Sequence, residues 1–172
     1  MEVSGTSYSI GDQIVHNYYG VGKITDIVTK VLSGKEREYY RVEAINSIYF
    51  VPVNNADNDR IRPLTTDEHL EQVLSVLQAD PDEMADDYKK RRKRIKSVRA
   101  SGSLVPMAQL IRDMYFRRSV GKLTDAESRA LDQVEERMIQ EWAVCEQISP
   151  DEARLRMMEM IQGMIQQVPV GD

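Results

Sequence analysis

The chain is poor in the residues that staple or metallate small domains. It carries one cysteine, Cys145, in 172 residues, so no internal disulfide can form. With only His16 and His69 beside that thiol, a zinc-finger-type ligand set cannot be assembled. No apolar run is long enough to cross a bilayer, and the opening MEVSGTSYSIGD lacks the basic and then apolar regions of a secretory signal. These absences point to a soluble protein in a reducing, cytoplasmic setting, with no membrane attachment. Signatures of catalysis are missing too. GVGKIT at 20–25 superficially looks like a phosphate-binding loop, but that motif needs glycine five residues before the Gly-Lys pair and Ser or Thr directly after it. Asn17 and Ile24 hold those positions. His16 and His69 lie far apart in ordinary strand and helix patterns, and Glu135-Glu136 falls on the flank of an amphipathic helix. No nucleophile, base and orienting group form a set. The sequence reads as a non-enzymatic binding protein that requires no cofactor or metal.

What is present is a globular balance, 41% hydrophobic and 30% charged, enough to build a core. Residues 8–64 carry short runs rich in Val, Ile, Tyr and Thr, separated by Gly, Ser and Asn. Ser33-Gly34 and Asn46-Ser47 mark hairpin turns, which predicts an antiparallel meander curling into a small barrel. Pro52 belongs where a strand edge or bulge needs no N–H donor. After Leu64 the period becomes helical. Leu70, Val73, Leu74 and Leu77 follow a Thr66 N-cap; a second helix is expected from about Asp82 to Ala100; Met107, Leu110, Ile111, Met114 and Tyr115 mark a third. Thr124 and Glu127 form a capping box for a long helix carrying Leu131, Val134, Met138, Trp142 and Cys145. A last helix from about Pro150 places Leu155, Met158, Ile161, Met164 and Ile165 inward. Trp142, the single tryptophan, shares a face with apolar neighbours and reads as core, and the methionines read as core filling. The predicted fold class is α+β, a small β barrel over residues 1–65 and a helical domain over 66–172.

One stretch departs from the acidic remainder. Eight of the 23 Lys and Arg residues fall between Lys89 and Arg99, and without them the net charge of −5 would become about −13. Asp82, Glu83, Asp86 and Asp87 at the start of the expected helix would suit its dipole, and Asp86–Lys90 and Asp87–Arg91 pairs would add about 0.2–0.5 kcal/mol each. Eight cations in three turns exceed what those pairs need, so the charge favours phosphate binding over a merely solvated face. Tyr88 precedes the block, and the residues alone leave two roles open. It either packs against a neighbouring helix, or stacks on a base or wedges into a minor groove.

The segments YSIGDQIVHNYYGVGKITDI, SGKEREYYRVE and IYFVPV resemble the RNA-polymerase-interacting domain shared by the CarD/CdnL transcription regulators and the bacterial transcription-repair coupling factor. ASGSLVPMAQLIRDMYFRR followed by GKLTDAESRALDQ resembles the helical half of the CarD/CdnL regulators in particular. The resemblance implies a Tudor-like or SH3-like barrel that adds its edge to the lobe of the RNA polymerase β subunit. It implies a helical domain that reaches promoter DNA at the upstream edge of the bubble, where a family tryptophan wedges into the minor groove and slows bubble collapse.

Position by position, the resemblance assigns polymerase contact to Lys30, Leu32, Arg41, Phe50 and Pro52, with Phe50 in place of the arginine some members carry. The wedge tryptophan aligns with Tyr88, a smaller aromatic, and Lys90, Arg91 and Lys93 align with phosphate-contacting positions. The expectation is a monomeric regulator that stabilises the open promoter complex. The competing reading is a polymerase-bound adaptor whose basic helix recruits an acidic protein without touching DNA.

Overall fold

Two-residue periodicity gives way to 3.6-residue periodicity once along this chain, and the architecture changes at the same place. In a computed structural model, which describes residues 7–54 and 59–169, five strands precede five helices. The strands are β1 (Gln13–His16), β2 (Gly20–Leu32), β3 (Lys35–Ala44), β4 (Ile48–Pro52) and β5 (Ile61–Pro63). The helices are α1 (Asp67–Gln78), α2 (Tyr88–Ser101), α3 (Leu104–Val120), α4 (Asp125–Glu146) and α5 (Pro150–Gln167). The fold is α+β, with two compact units that divide between Leu64 and Thr65.

The β unit is a five-stranded antiparallel sheet in the order β4-β3-β2-β1-β5. Ser33 (φ 54) and Gly34 (φ 75) join β2 to β3 through the left-handed two-residue turn that matches strand twist, closed by the Leu32–Lys35 pair. The Gly-Lys stretch that looked like a phosphate loop lies inside β2. A Cβ on Gly22 would sit 2.6 Å from Val42 Cγ1 and 3.1 Å from the Tyr49 hydroxyl, so this glycine serves close packing. Ile14, Ile24, Tyr40, Val42, Tyr49, Val51 and Ile61 form the core of this unit. Pro52 lies at the end of β4, which among the described residues is an edge strand paired with β3 alone.

The helical unit is organised around α3, which packs on each of the other four helices and is buried along most of its length. Trp142 is 1% exposed and shares one core with Leu70, Leu110, Met114, Leu131, Met138, Met157 and Ile161. Each such side chain contributes about 1.5–3 kcal/mol by leaving water. Thr66 and Thr124 cap α1 and α4 as their sequence positions predict, the latter in a complete capping box with Glu127.

Two expectations are corrected here. Helix α2 begins at Tyr88, not near Asp82. Asp82 is held off the helix by its N–H, which donates to Asp113 Oδ1 at 2.9 Å, and by its Oδ2, which accepts from Arg112 at 2.9 Å. On α5 the inward stripe is Ala153, Met157, Ile161 and Met164, while Leu155 is 61% exposed. Ile161 and Met164 face inward as expected, with Met158 and Ile165 partly buried against the core, so the helix is turned by roughly 60° from the expected stripe, enough to bring Leu155 out to solvent.

Candidate functional site

Two surfaces gather the residues singled out by the sequence, one on each unit. On the β unit, residues directly opposite one another across an antiparallel pair project from the same face. Lys30 faces Arg37, Leu32 faces Lys35, Asp26 and Phe50 flank Arg41, and Val28 and Pro52 flank Tyr39. Lys30, Leu32, Arg41, Phe50 and Pro52 therefore share one face of β2-β3-β4. It is the face opposite the core residues Tyr40, Val42, Tyr49 and Val51.

This face combines exposed apolar area with cations. Leu32, Ile48 and Phe50 are 53%, 53% and 40% exposed. The Lys30 ammonium lies 3.1 Å from the Phe50 ring centroid and 5.9 Å from that of Tyr39, a cation–π arrangement that spans three strands. Arg41 is fixed by Thr25 Oγ1 at 2.8 Å and by an ion pair with Glu43. Sequence reasoning missed Lys35, Arg37, Tyr39 and Ile48 on this face. Counting register outward from the Ser33-Gly34 turn finds Lys35, Arg37 and Tyr39, and the β3–β4 pairing adds Ile48.

The second surface is α2. Asp87 caps it by accepting from Lys89 N at 2.8 Å, which makes Tyr88 the first helical residue, 41% exposed. Ile95 and Val98 anchor the inner face, joined by one of the cations, Arg91. Arg91 is 7% exposed; its Nε donates to Glu127 Oε1 at 2.6 Å and its Nη1 to the carbonyl oxygens of Ala85 and Asp86 at 3.0 and 2.7 Å. Its guanidinium carbon stands 5.7 Å from the Tyr88 ring centroid. Burial alone would raise the Glu127 pKa, but the hydrogen bond from Arg91 and those from Thr124 hold it below its ordinary value.

Lys90 and Lys93 are exposed, as are Lys89, Arg92, Lys96 and Arg99. At about 100° per residue, Arg92 and Arg99 lie within about 40° of Tyr88 and Lys96 within about 80°, whereas Lys93 and Lys90 are about 140° and 160° away. The expected favourable alignment of charge with dipole is kept by Asp87 at the N-cap and Arg99 in the last turn, with Asp82, Glu83 and Asp86 lying before the helix. Lys89 and Lys90, however, sit in the first turn, where the helix dipole is positive. Cations placed there favour a bound anion over bare solvent. The structure thus separates the expected phosphate contacts. Arg91 faces inward, Lys90 and Lys93 occupy the far flank, and Arg92, Lys96 and Arg99, absent from the sequence-based set, line up beside Tyr88.

Comparison with known proteins matches residues 8–65 to the CarD-like/TRCF RID domain family and residues 72–158 to the CarD C-terminal domain family. The chain belongs to the CarD/CdnL family. Both surfaces fall inside the matched segments. A relative is 26% identical over 144 residues, covering 83% of this chain and 94% of its own length; it is the provisionally assigned transcription factor YdeB of Bacillus subtilis (strain 168). CarD-family membership makes this chain a transcription regulator. Among the described residues, no helix is long and apolar enough to cross a membrane.

Proposed function

We propose that this CarD-family regulator binds the lobe of the RNA polymerase β subunit through the Lys30–Leu32–Arg41–Phe50–Pro52 face. On that platform, α2 contacts promoter DNA at the upstream edge of the bubble and stabilises the open complex. The observation that carries the reading is the placement of Tyr88. A half-exposed aromatic stands at the first position of a helix whose solvent side holds six cations.

An aromatic at that place can insert where base pairs are already opening, because unstacking costs least there. Arg92, Lys96 and Arg99 follow Tyr88 along the same side of the helix, the four spanning about 16 Å, and supply phosphate contacts beside the wedge. Lys89, Lys90 and Lys93 add to the local field. With an acidic remainder, free-standing affinity for DNA is weak. Docking on the polymerase raises the local concentration of the helix at engaged promoters, so weak contacts suffice there.

The test is protection of upstream fork-junction DNA on a polymerase complex. The intact protein is expected to protect the upstream edge, and Tyr88→Ala to abolish that protection while remaining bound to polymerase. Equal protection by the two proteins, or none by either, contradicts the proposal.

A further inference from the structure

Tyr88 follows a segment, Ala79–Asp87, that is not helical, so its direction depends on how that segment is held. The hold is made of side chains from elsewhere in the unit. Asp82 is fixed by Arg112 and by the fully buried Asp113, and Met84 is 5% exposed and belongs to the core. The last carbonyls before the cap, those of Ala85 and Asp86, both accept from Arg91 Nη1, while the Nε of the same guanidinium is fixed on Glu127. Glu127 is in turn immobilised, since its Oε2 accepts from Thr124 N at 2.9 Å in the α4 capping box. One guanidinium therefore links the backbone immediately before Tyr88, the Tyr88 ring and the start of α4.

Resting on the wedge reading above, we infer that Arg91 is a positioning residue. It does not meet phosphate; held by Glu127, it orients Tyr88 for insertion into DNA. A planar fork holds the carboxylate at Nε and two carbonyls at Nη1, separate nitrogens at fixed angles, whereas an ammonium gathers its three donors on one nitrogen at the end of a flexible stem and fixes no direction. Arg91→Lys keeps the charge and loses the geometry, which separates the two roles. If Arg91 met phosphate, Arg91→Lys would keep that charge contact and with it most of the function.

The experiment measures the open-complex lifetime at saturating regulator. It compares the full chain with Tyr88→Ala, Arg91→Lys, Glu127→Gln and the double variants of each with Tyr88→Ala. Glu127→Gln retains an oxygen to cap Thr124 and serves if Arg91→Lys does not fold. Saturation removes any effect of a smaller folded fraction, so a merely structural role leaves the plateau lifetime unchanged. The expected result is that Arg91→Lys and Glu127→Gln each lose most of the lifetime gain and add nothing to the Tyr88→Ala loss. A retained plateau, or losses that multiply with Tyr88→Ala, would overturn the inference while leaving the wedge standing. A full lifetime gain with Tyr88→Ala would overturn the wedge itself, and the positioning role with it.

Discussion

Lys30 reaches across β3 to place its ammonium 3.1 Å from the centre of the Phe50 ring. A cation over an aromatic that is itself 40% exposed makes a ready anchor for a partner offering acidic and apolar groups. Phe50→Ala and Leu32→Ala are expected to weaken binding to an isolated β-subunit lobe about five-fold or more each, the loss typical of an anchor residue. Val31 lies between Lys30 and Leu32 but on the opposite face of the hairpin, 64% exposed, so Val31→Ala should bind normally. Titration calorimetry with the three variants checks the assignment of the face.

The Arg91–Glu127 pair bears on stability as well as function. Removing the carboxylate leaves a buried, uncompensated guanidinium, so Glu127→Ala should cost about 3–5 kcal/mol in urea unfolding. The Glu127 pKa is lowered in the folded protein, so its stabilisation is present at neutral pH and fades as pH falls through and below the ordinary carboxylate range. Glu127→Gln should remove that part of the acid dependence.

Glu135 behaves in the opposite sense. It is 6% exposed, its Oε1 has no hydrogen-bond partner among the described residues, and burial raises its pKa despite the Tyr115 hydroxyl and the nearby Arg118 and Arg154. Folding therefore favours its protonated form, and its contribution is lost as pH rises through the raised pKa. Glu135→Gln should raise the melting temperature at pH 7 relative to the parent, with the difference vanishing toward pH 4.

Cys145 should be nearly inert. Burial, with the Asp67 carboxylate 3.3 Å away, pushes its thiol up to about 11. At pH 8 roughly one thiol in a thousand is ionised, against about one in four for an unperturbed cysteine. Reaction with a thiol-exchange reagent should be slow in the native protein and fast after unfolding in urea.

Features set by neighbours in sequence are legible from the sequence alone. The turn at Ser33-Gly34, the caps at Thr66 and Thr124 and the core stripe through Trp142 follow from local chemistry and period. The start of α2 was not legible, because Asp82 is drawn away by Arg112 and Asp113, some 30 residues on. The burial of Arg91 depends on a carboxylate 36 positions away, and within a run of eight cations nothing local marks one as different. The β face was half legible: its anchors came from resemblance, and its remaining members from strand register.

The most direct test of the central claim is the lifetime of an open promoter complex formed by the cognate RNA polymerase, measured without regulator, with this protein and with Tyr88→Ala. The account predicts a longer lifetime with the intact protein and loss of most of that gain in the variant, with polymerase binding unchanged. Equal lifetimes for the two proteins would contradict it.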